Sequence, residues 1–232
     1  MLKAILTDID GTITDPSRRI HTGAIETIRS LVDRGVVVVL ASGNTSCFMD
    51  SLCKMIGTQG SFIAENGGVF RVGYTGALRI TGDQSSCRKA LETLQAYYRT
   101  QGKELDLFDP TYRFADLAFA RTVQVGEVKD LLKDYPVQVI DTGYAIHLQS
   151  PGVNKGTALV ELAEKMGLVP ADFLAIGDFV NDVHMLKTAG TGITVANAHP
   201  DTKAAAEYVA EKVYGDGFVE GIEKYSSYFR AR

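Results

Sequence analysis

Short apolar runs alternate with amphipathic stretches through the first third of the chain. Ala4-Ile5-Leu6-Thr7 reads as a strand. Over Thr22–Arg34 the apolar positions Ala24, Ile25, Ile28, Leu31 and Val32 recur at helical spacing, with Thr22 as a start and Gly35 as a stop. Val36-Val37-Val38-Val39-Leu40 is apolar at every position, as a strand covered on both faces must be. A second helix is predicted near Thr45–Met55, ending before Gly57. Phe62-Ile63-Ala64 then forms a short strand, and Asn66-Gly67-Gly68 signals a turn. Strand, helix, strand, helix, strand is the pattern of a parallel sheet covered by helices.

The character changes between about Asp83 and Pro151. A long helical stretch, Ser86–Thr100, precedes partly alternating strands around Leu117–Val123, Val137–Asp141 and Tyr144–Gln149, with a helix over Gly126–Tyr135 among them. After Gly152 the first pattern returns: helix Lys155–Met166, strand Phe173–Ile176, helix Asp182–Ala189, strand Ile193–Val195 and helix Thr202–Glu211. The expected fold class is α/β, a doubly wound parallel sheet (Rossmann-like core) with an inserted small α+β cap domain. Residues 1–82 and 152–232 would form the core and 83–151 the insert.

Composition narrows the partners. The 232 residues are 45% hydrophobic, enough for a packed core. A net charge of −4 without any Lys/Arg block argues against nucleic acid or an anionic membrane as partner. No charged-then-apolar leader opens the chain and no apolar run nears about 18 residues, so a cytoplasmic location is expected. Cys47, Cys53 and Cys87 form no close pair of metal or redox type and read as incidental reduced thiols.

Asp8-Ile9-Asp10-Gly11-Thr12 directly follows the first strand. Residues i and i+2 of an extended chain point the same way, and two unit charges about 4 Å apart repel by about 4 kcal/mol at an effective dielectric of about 20. Something positive between them, or a proton held for a purpose, would justify the pair; the plainer reading is an Asx turn with Asp10 capping the next helix. Ligands of open parallel sheets bind beyond the carboxyl ends of the strands. The polar residues fall there: Asp8 and Asp10 after the first strand, Ala41-Ser42-Gly43-Asn44 after the second, Gly177-Asp178 with Asn181 and Asp182 after a later one, and Lys155 at a helix start. Taken singly, Ser42 could be a helix cap and Lys155 a solvated lysine. Together, four carboxylates without a ligand would be costly. They form an all-oxygen site suited to a hard cation such as Mg²⁺. Ser42, Asn44, helix N-termini and Lys155 add the donors and charge that a phosphate needs.

Asp8-Ile9-Asp10-Gly11-Thr12, Ser42, Lys155 and Gly177-Asp178-Phe179-Val180-Asn181-Asp182 resemble, in order, the four motifs of the haloacid dehalogenase-like hydrolase superfamily. The insert between the second and third motifs is similar to the cap of its Cof-type branch. The short chain and Ala41-Ser42-Gly43-Asn44 further resemble archaeal phosphoglycolate phosphatases and sucrose-phosphate-phosphatase-like proteins. The resemblance implies that Asp8 is the nucleophile and Asp10 the general acid and base. It also implies a metal site of Asp8, Asp10 (through its backbone carbonyl), Asp178 and Asp182, with Asn181 orienting the last two. Ser42, Gly43, Asn44, Lys155 and Asn181 would serve substrate and phosphate. Two positions depart from the pattern: Asn44 stands where many relatives have arginine, and Phe179 where a small residue is commoner.

The expected activity is therefore a Mg²⁺-dependent phosphatase for a small phosphorylated metabolite, with 2-phosphoglycolate the leading substrate. A sugar-phosphate phosphatase, a phosphohexomutase and a non-enzymatic phospho-acceptor or metabolite-binding module stay open, as does the choice between monomer and homodimer. Tyr112, Arg113, Arg121, His147 and Gln149 are the candidate lid residues, where an arginine could pair with a substrate carboxylate. None of the four histidines, His21, His147, His184 and His199, is expected to have a catalytic role.

Overall fold

The computed structural model describes residues 1–229. Its elements run β1 (Ala4–Asp8), α1 (Thr22–Asp33), β2 (Val37–Ala41), α2 (Ser46–Ile56), β3 (Phe62–Ala64), β4 (Val69–Arg71), β5 (Arg79–Ile80), α3 (Gln84–Arg99), β6 (Leu117–Ala120), α4 (Val125–Leu131), β7 (Gln138–Asp141), β8 (Ala145–Gln149), α5 (Lys155–Lys165), β9 (Phe173–Gly177), α6 (Val183–Thr188), β10 (Thr191–Thr194), α7 (Pro200–Ala205), β11 (Tyr208–Val209) and α8 (Tyr214–Lys224). Two sheets result: eight strands in the order β11-β10-β9-β1-β2-β3-β4-β5, and three in the order β6-β8-β7. In the large sheet β4 and β5 are antiparallel and the rest pair in parallel.

Alternation sorts the apolar side chains of the large sheet. Ile5, Val38, Leu40, Leu174 and Ile176 face one cluster with α1, α2 and α8, whereas Leu6, Val39, Ala41, Phe173 and Ala175 face another with α5 and α6. The small sheet uses one face only. Leu117, Phe119, Ile146 and Leu148 pack on α3 and α4, which leaves Ala118, His147 and Gln149 on the opposite face.

Register positions the site. Strand β1 lies between β2 and β9, at the point where strand order reverses. Asp8 pairs with Ala41, so Ser42 lies one residue beyond it. Thr7 pairs with Ile176, which brings Gly177 level with Asp8 and Asp178 just past it.

Several elements differ from expectation. The segment read as one helix over Thr202–Glu211 is helix α7 to Ala205 followed by strand β11, because Tyr208 and Val209 pair with Ile193 and Thr194 at the sheet edge. The helix expected at Gly126–Tyr135 stops at Leu131. Helix α1 begins at Thr22 as expected, and the preceding His21 caps it: the His21 Nδ1 accepts from the Ala24 N–H. Strands β4 and β5 and helix α8 have periodicity too short or too mixed to register in the sequence.

Candidate active site

Asp8, the last residue of β1, is 6% exposed and Lys155, the first residue of α5, is 0% exposed. Helix α5 starts cleanly because Asn154 caps it: its Oδ1 accepts from Gly156 N (2.9 Å) and Thr157 N (3.0 Å), and Thr157 Oγ1 accepts from Asn154 N (3.0 Å). The turn Glu65–Gly67 sits against this start. Gly67 has φ +102°, and any Cβ there would run into the Asn154 carbonyl.

Lys155 Nζ donates to Asp8 Oδ1 (2.5 Å) and Asp182 Oδ1 (2.7 Å). The ammonium thus lies beneath the carboxylates and does not line the cavity. Asp182 Oδ2 accepts from the backbone N–H groups of Asp178 and Phe179, both at 3.0 Å, which fixes the Asp178 turn. Thr12 Oγ1 donates to Asp178 Oδ1 (3.2 Å) and reaches Asp8 Oδ2 at 3.4 Å. Gly11, at φ +87°, must lack a side chain because a Cβ would collide with the Asp178 carboxylate.

Oxygen atoms of Asp8, Asp178 and Asp182 all lie within 4.8 Å of one another, a cluster that could hold a metal ion. The donor set fits a hard cation. It is all oxygen. Burial, then Asp182, pushes the Asp178 carboxyl up to about 7. Burial and Asp182 also raise Asp8 well above the carboxylate range against the pull of Lys155. A divalent ion would relieve that shared repulsion. The Asp10 side chain stands outside the cluster and lines the cavity instead.

Asn44, the residue where the motif has arginine in many relatives, is occupied inside the protein. Its Nδ2 donates to Asp10 Oδ2 (3.2 Å) and to Ser42 Oγ (2.9 Å), so it aims the Asp10 carboxyl. Burial raises the Asp10 pKa, while Arg18 and Lys155 hold it back. Ser42, Gly43 and Asn181 also line the cavity, and Asn181 Nδ2 donates to Asn66 Oδ1 (3.0 Å). The floor of the site therefore brings together Asp8, Asp10, Ser42, Gly43, Asn44, Asp178 and Asn181, with Asp182 and Lys155 just below.

The cavity, about 550 Å³, is closed from the other side by Phe108, Asp109, Arg113, the Thr142–Ala145 turn and His147. Phe179 packs beneath that turn, near Gly143, and edge-on to His199. Of the candidate lid residues, only Arg113 and His147 line the cavity. Gln149 is buried and donates to the Glu65 carbonyl (2.7 Å), Arg121 pairs with Asp141 on the surface, and Tyr112 is exposed.

Three residues of the site carry no motif signal: Arg18, Glu65 and Asn197. Arg18 stacks on the Tyr144 ring at 4.8 Å, and Asn197 Nδ2 donates to the Gly11 carbonyl (2.9 Å). Glu65, fully buried, accepts from the N–H groups of Phe114 (3.0 Å), Ala115 (2.8 Å) and Asp116 (3.1 Å), tying the segment before β6 to the floor. Its positive φ of 49° is the one backbone oddity that could have marked it, and that is visible only in three dimensions.

Comparison with known proteins agrees with this geometry. The haloacid dehalogenase-like hydrolase profile matches residues 5–108 and 117–222. A phosphoglycolate phosphatase of Methanoculleus marisnigri is 57% identical over 234 aligned positions, covering 100% of both chains. A phosphoglycolate phosphatase of Methanospirillum hungatei is 47% identical, again over 100% of both. Among solved structures, a Thermoplasma acidophilum protein superposes with TM-score 0.86 at 27% identity, covering 97% of this chain and 99% of the other. The chain belongs to the haloacid dehalogenase-like hydrolases.

Proposed function

We propose that the protein is a Mg²⁺-dependent phosphatase that hydrolyses a small phosphomonoester through an aspartyl-phosphate on Asp8, with 2-phosphoglycolate as its substrate. The observation that carries this reading is the buried Asp8–Lys155–Asp182 array at the carboxyl end of β1, open to the cavity through Asp8 and Asp178. The two archaeal relatives named for phosphoglycolate supply the substrate. Residues 83–151 would act as a cap over a core built from 1–82 and 152–232, a division supported by the separate small sheet and its own apolar cluster.

Lys155 holds Asp8 Oδ1, which leaves Oδ2, with only the long Thr12 contact, to attack phosphorus. The P–O bond to the leaving alcohol breaks as the Asp8–phosphorus bond forms. Asp10, held by Asn44 and raised by burial, gives its proton to the departing oxygen. It then takes a proton from the water that releases inorganic phosphate and restores Asp8. Ser42, the Gly43 backbone and Asn181 position the phosphoryl oxygens; Asn44 serves by aiming Asp10. Mg²⁺ held by Asp8, Asp178 and the Asp10 carbonyl, with Asp182 behind, would offset the charge of the phosphoryl group. No membrane-crossing role competes with this reading: among the described residues no helix is long and apolar enough to span a bilayer.

The test is phosphate release from 2-phosphoglycolate, hexose phosphates and an aryl phosphate, with Mg²⁺, with chelator and with Asp8→Asn. Mg²⁺-dependent release that Asp8→Asn abolishes is expected. A wild-type protein that binds Mg²⁺ and releases no phosphate from any ester would sink the phosphatase reading.

A further inference from the structure

Asp116 is fully buried, and its two oxygens are divided between a guanidinium and an imidazole. Arg113 Nη1 donates to Oδ1 at 2.6 Å, and His147 Nδ1 meets Oδ2 at 2.8 Å. Neither partner is more than 4% exposed, yet both line the cavity. Burial alone would raise the Asp116 pKa; His147 and Arg113 outweigh it and keep the carboxyl ionised below its usual range.

Each partner keeps one polar atom uncommitted. Arg113 spends Nε on the Phe108 carbonyl (2.9 Å) and Nη1 on Asp116 and the Gly43 carbonyl (3.2 Å), and Nη2 has no protein partner among the described residues. His147 spends Nδ1 on Asp116, and Nε2 likewise has none. Both groups stand over the phosphate-binding loop. A Cβ on Gly43 would lie 3.1 Å from His147 Cε1, so the imidazole approaches this closely because position 43 lacks a side chain. The same loop borders a buried amide nitrogen, Asn66 Nδ2, that has no hydrogen-bond partner, 3.0 Å from that Cβ position.

A buried ion pair is a weak device for stability, since apolar packing commonly does as well. A fork of one carboxylate holding a guanidinium and an imidazole at fixed angles is better suited to recognition, because planar guanidinium and imidazole donors match a carboxylate. Glu65 keeps the fork in register with the floor through the backbone of residues 114–116.

We propose that Arg113 Nη2 and, in its imidazolium form, His147 Nε2, both oriented by Asp116, bind the carboxylate of the substrate's leaving group and select short phosphorylated 2-hydroxy acids over uncharged esters. This rests on the phosphatase reading above. The exposed Arg18, stacked on Tyr144 across the cavity, is the rival anion contact.

The experiment measures kcat/KM for 2-phosphoglycolate and for ethyl phosphate, which lacks the carboxylate, in wild type, His147→Gln, Arg113→Lys and Arg18→Ala. The readout is the ratio of the two esters within each variant, so partial misfolding cancels. His147→Gln and Arg113→Lys are each expected to lower the ratio by about 10- to 100-fold, mainly through KM, the worth of a charge-assisted hydrogen bond. A ratio that stays constant in both variants, or that collapses only in Arg18→Ala, overturns the proposal. Calorimetric binding of both esters to Asp8→Asn, alone and combined with His147→Gln, reads the same preference without turnover. If the wild type turns over no ester while that preference exists and disappears with His147→Gln, the carboxylate site stands and the phosphatase reading falls. If no preference exists in binding either, the carboxylate site falls too.

Discussion

The floor of the cavity is made of strand ends and the opposite wall of a strand middle and a loop. On the floor, Asp8, Ser42 and Asp178 are aligned by backbone register between β1, β2 and β9, and their charge is partly offset from below by one lysine. On the facing wall, Arg113, Asp116 and His147 come from a loop, the residue before β6 and the centre of β8, and they are aligned by one another. Excess negative charge characterises the floor, which suits a cation and a phosphoryl group. The wall turns a guanidinium nitrogen of Arg113 and an imidazole nitrogen of His147 toward the cavity, which suits an anion. Chemistry and selection are thus separated across about 550 Å³ of space.

The separation breaks if wall variants behave like floor variants. Asp8→Asn is expected to lower kcat by about 10⁴-fold or more on every ester, carboxylated or not, as loss of a nucleophile does. A wall variant that did the same in steady-state assays would merge the two regions. Lys155→Met leaves Asp8 and Asp182 facing one another without a buried counter-charge. Chemical denaturation should show a loss of about 3–5 kcal/mol, partly restored by a saturating divalent cation. An unchanged midpoint would mean that the floor does not depend on this ammonium.

Glu65 joins the two regions, and its titration sharpens the picture. Burial, then Asp116, raises its folded pKa to about 7 from a reference of 4.5. A raised carboxyl favours the folded state fully below the reference value, and that contribution fades as pH rises through 7. Wild-type stability relative to Glu65→Gln should therefore fall by up to roughly 3 kcal/mol between pH 4.5 and 8. A flat difference across that range, measured by urea unfolding, would show that the three backbone N–H donors hold the group ionised.

On the floor, Asp178 near 7 predicts that cation binding expels a proton. Apparent affinity should weaken about tenfold per pH unit below 7, with proton release seen calorimetrically in buffers of different ionisation enthalpy. At the small end, Arg121→Ala removes only an exposed pair with Asp141 and should shift stability by less than about 0.5 kcal/mol. It should leave the ester ratio alone; a change there would extend the selecting wall beyond Arg113 and His147.

Much of the floor was legible in advance because its geometry is local. An i, i+2 aspartate pair after an apolar run, a Ser-Gly-Asn after a second run and a Gly-Asp-x-x-Asn-Asp opening a helix each carry their own spacing. The parallel sheet then aligns them without further information. Asn44 shows where that stops. Its side chain lines the cavity as expected, and its amide group also donates to Asp10 and Ser42, a pairing between two strand ends that no spacing encodes. Among the lid candidates, alternation in Tyr144–Gln149 could place His147 and Gln149 on one face. It could not say that His147 meets the cavity while Gln149 is buried under the Glu65 turn.

By itself the sequence determined the alternation of strands and helices, the two-faced core of the large sheet and the residues that gather at its carboxyl edge. These follow from periods of 2 and 3.6 and from turn chemistry, all short-range. Only the tertiary structure decided that Lys155 lies under the carboxylates instead of in the cavity, that Glu65 clasps residues 114–116, and that Asp116 joins Arg113 to His147. Such contacts link residues 3 to 147 positions apart. Their energy depends on burial and on partners that the whole fold supplies, and a linear pattern carries neither.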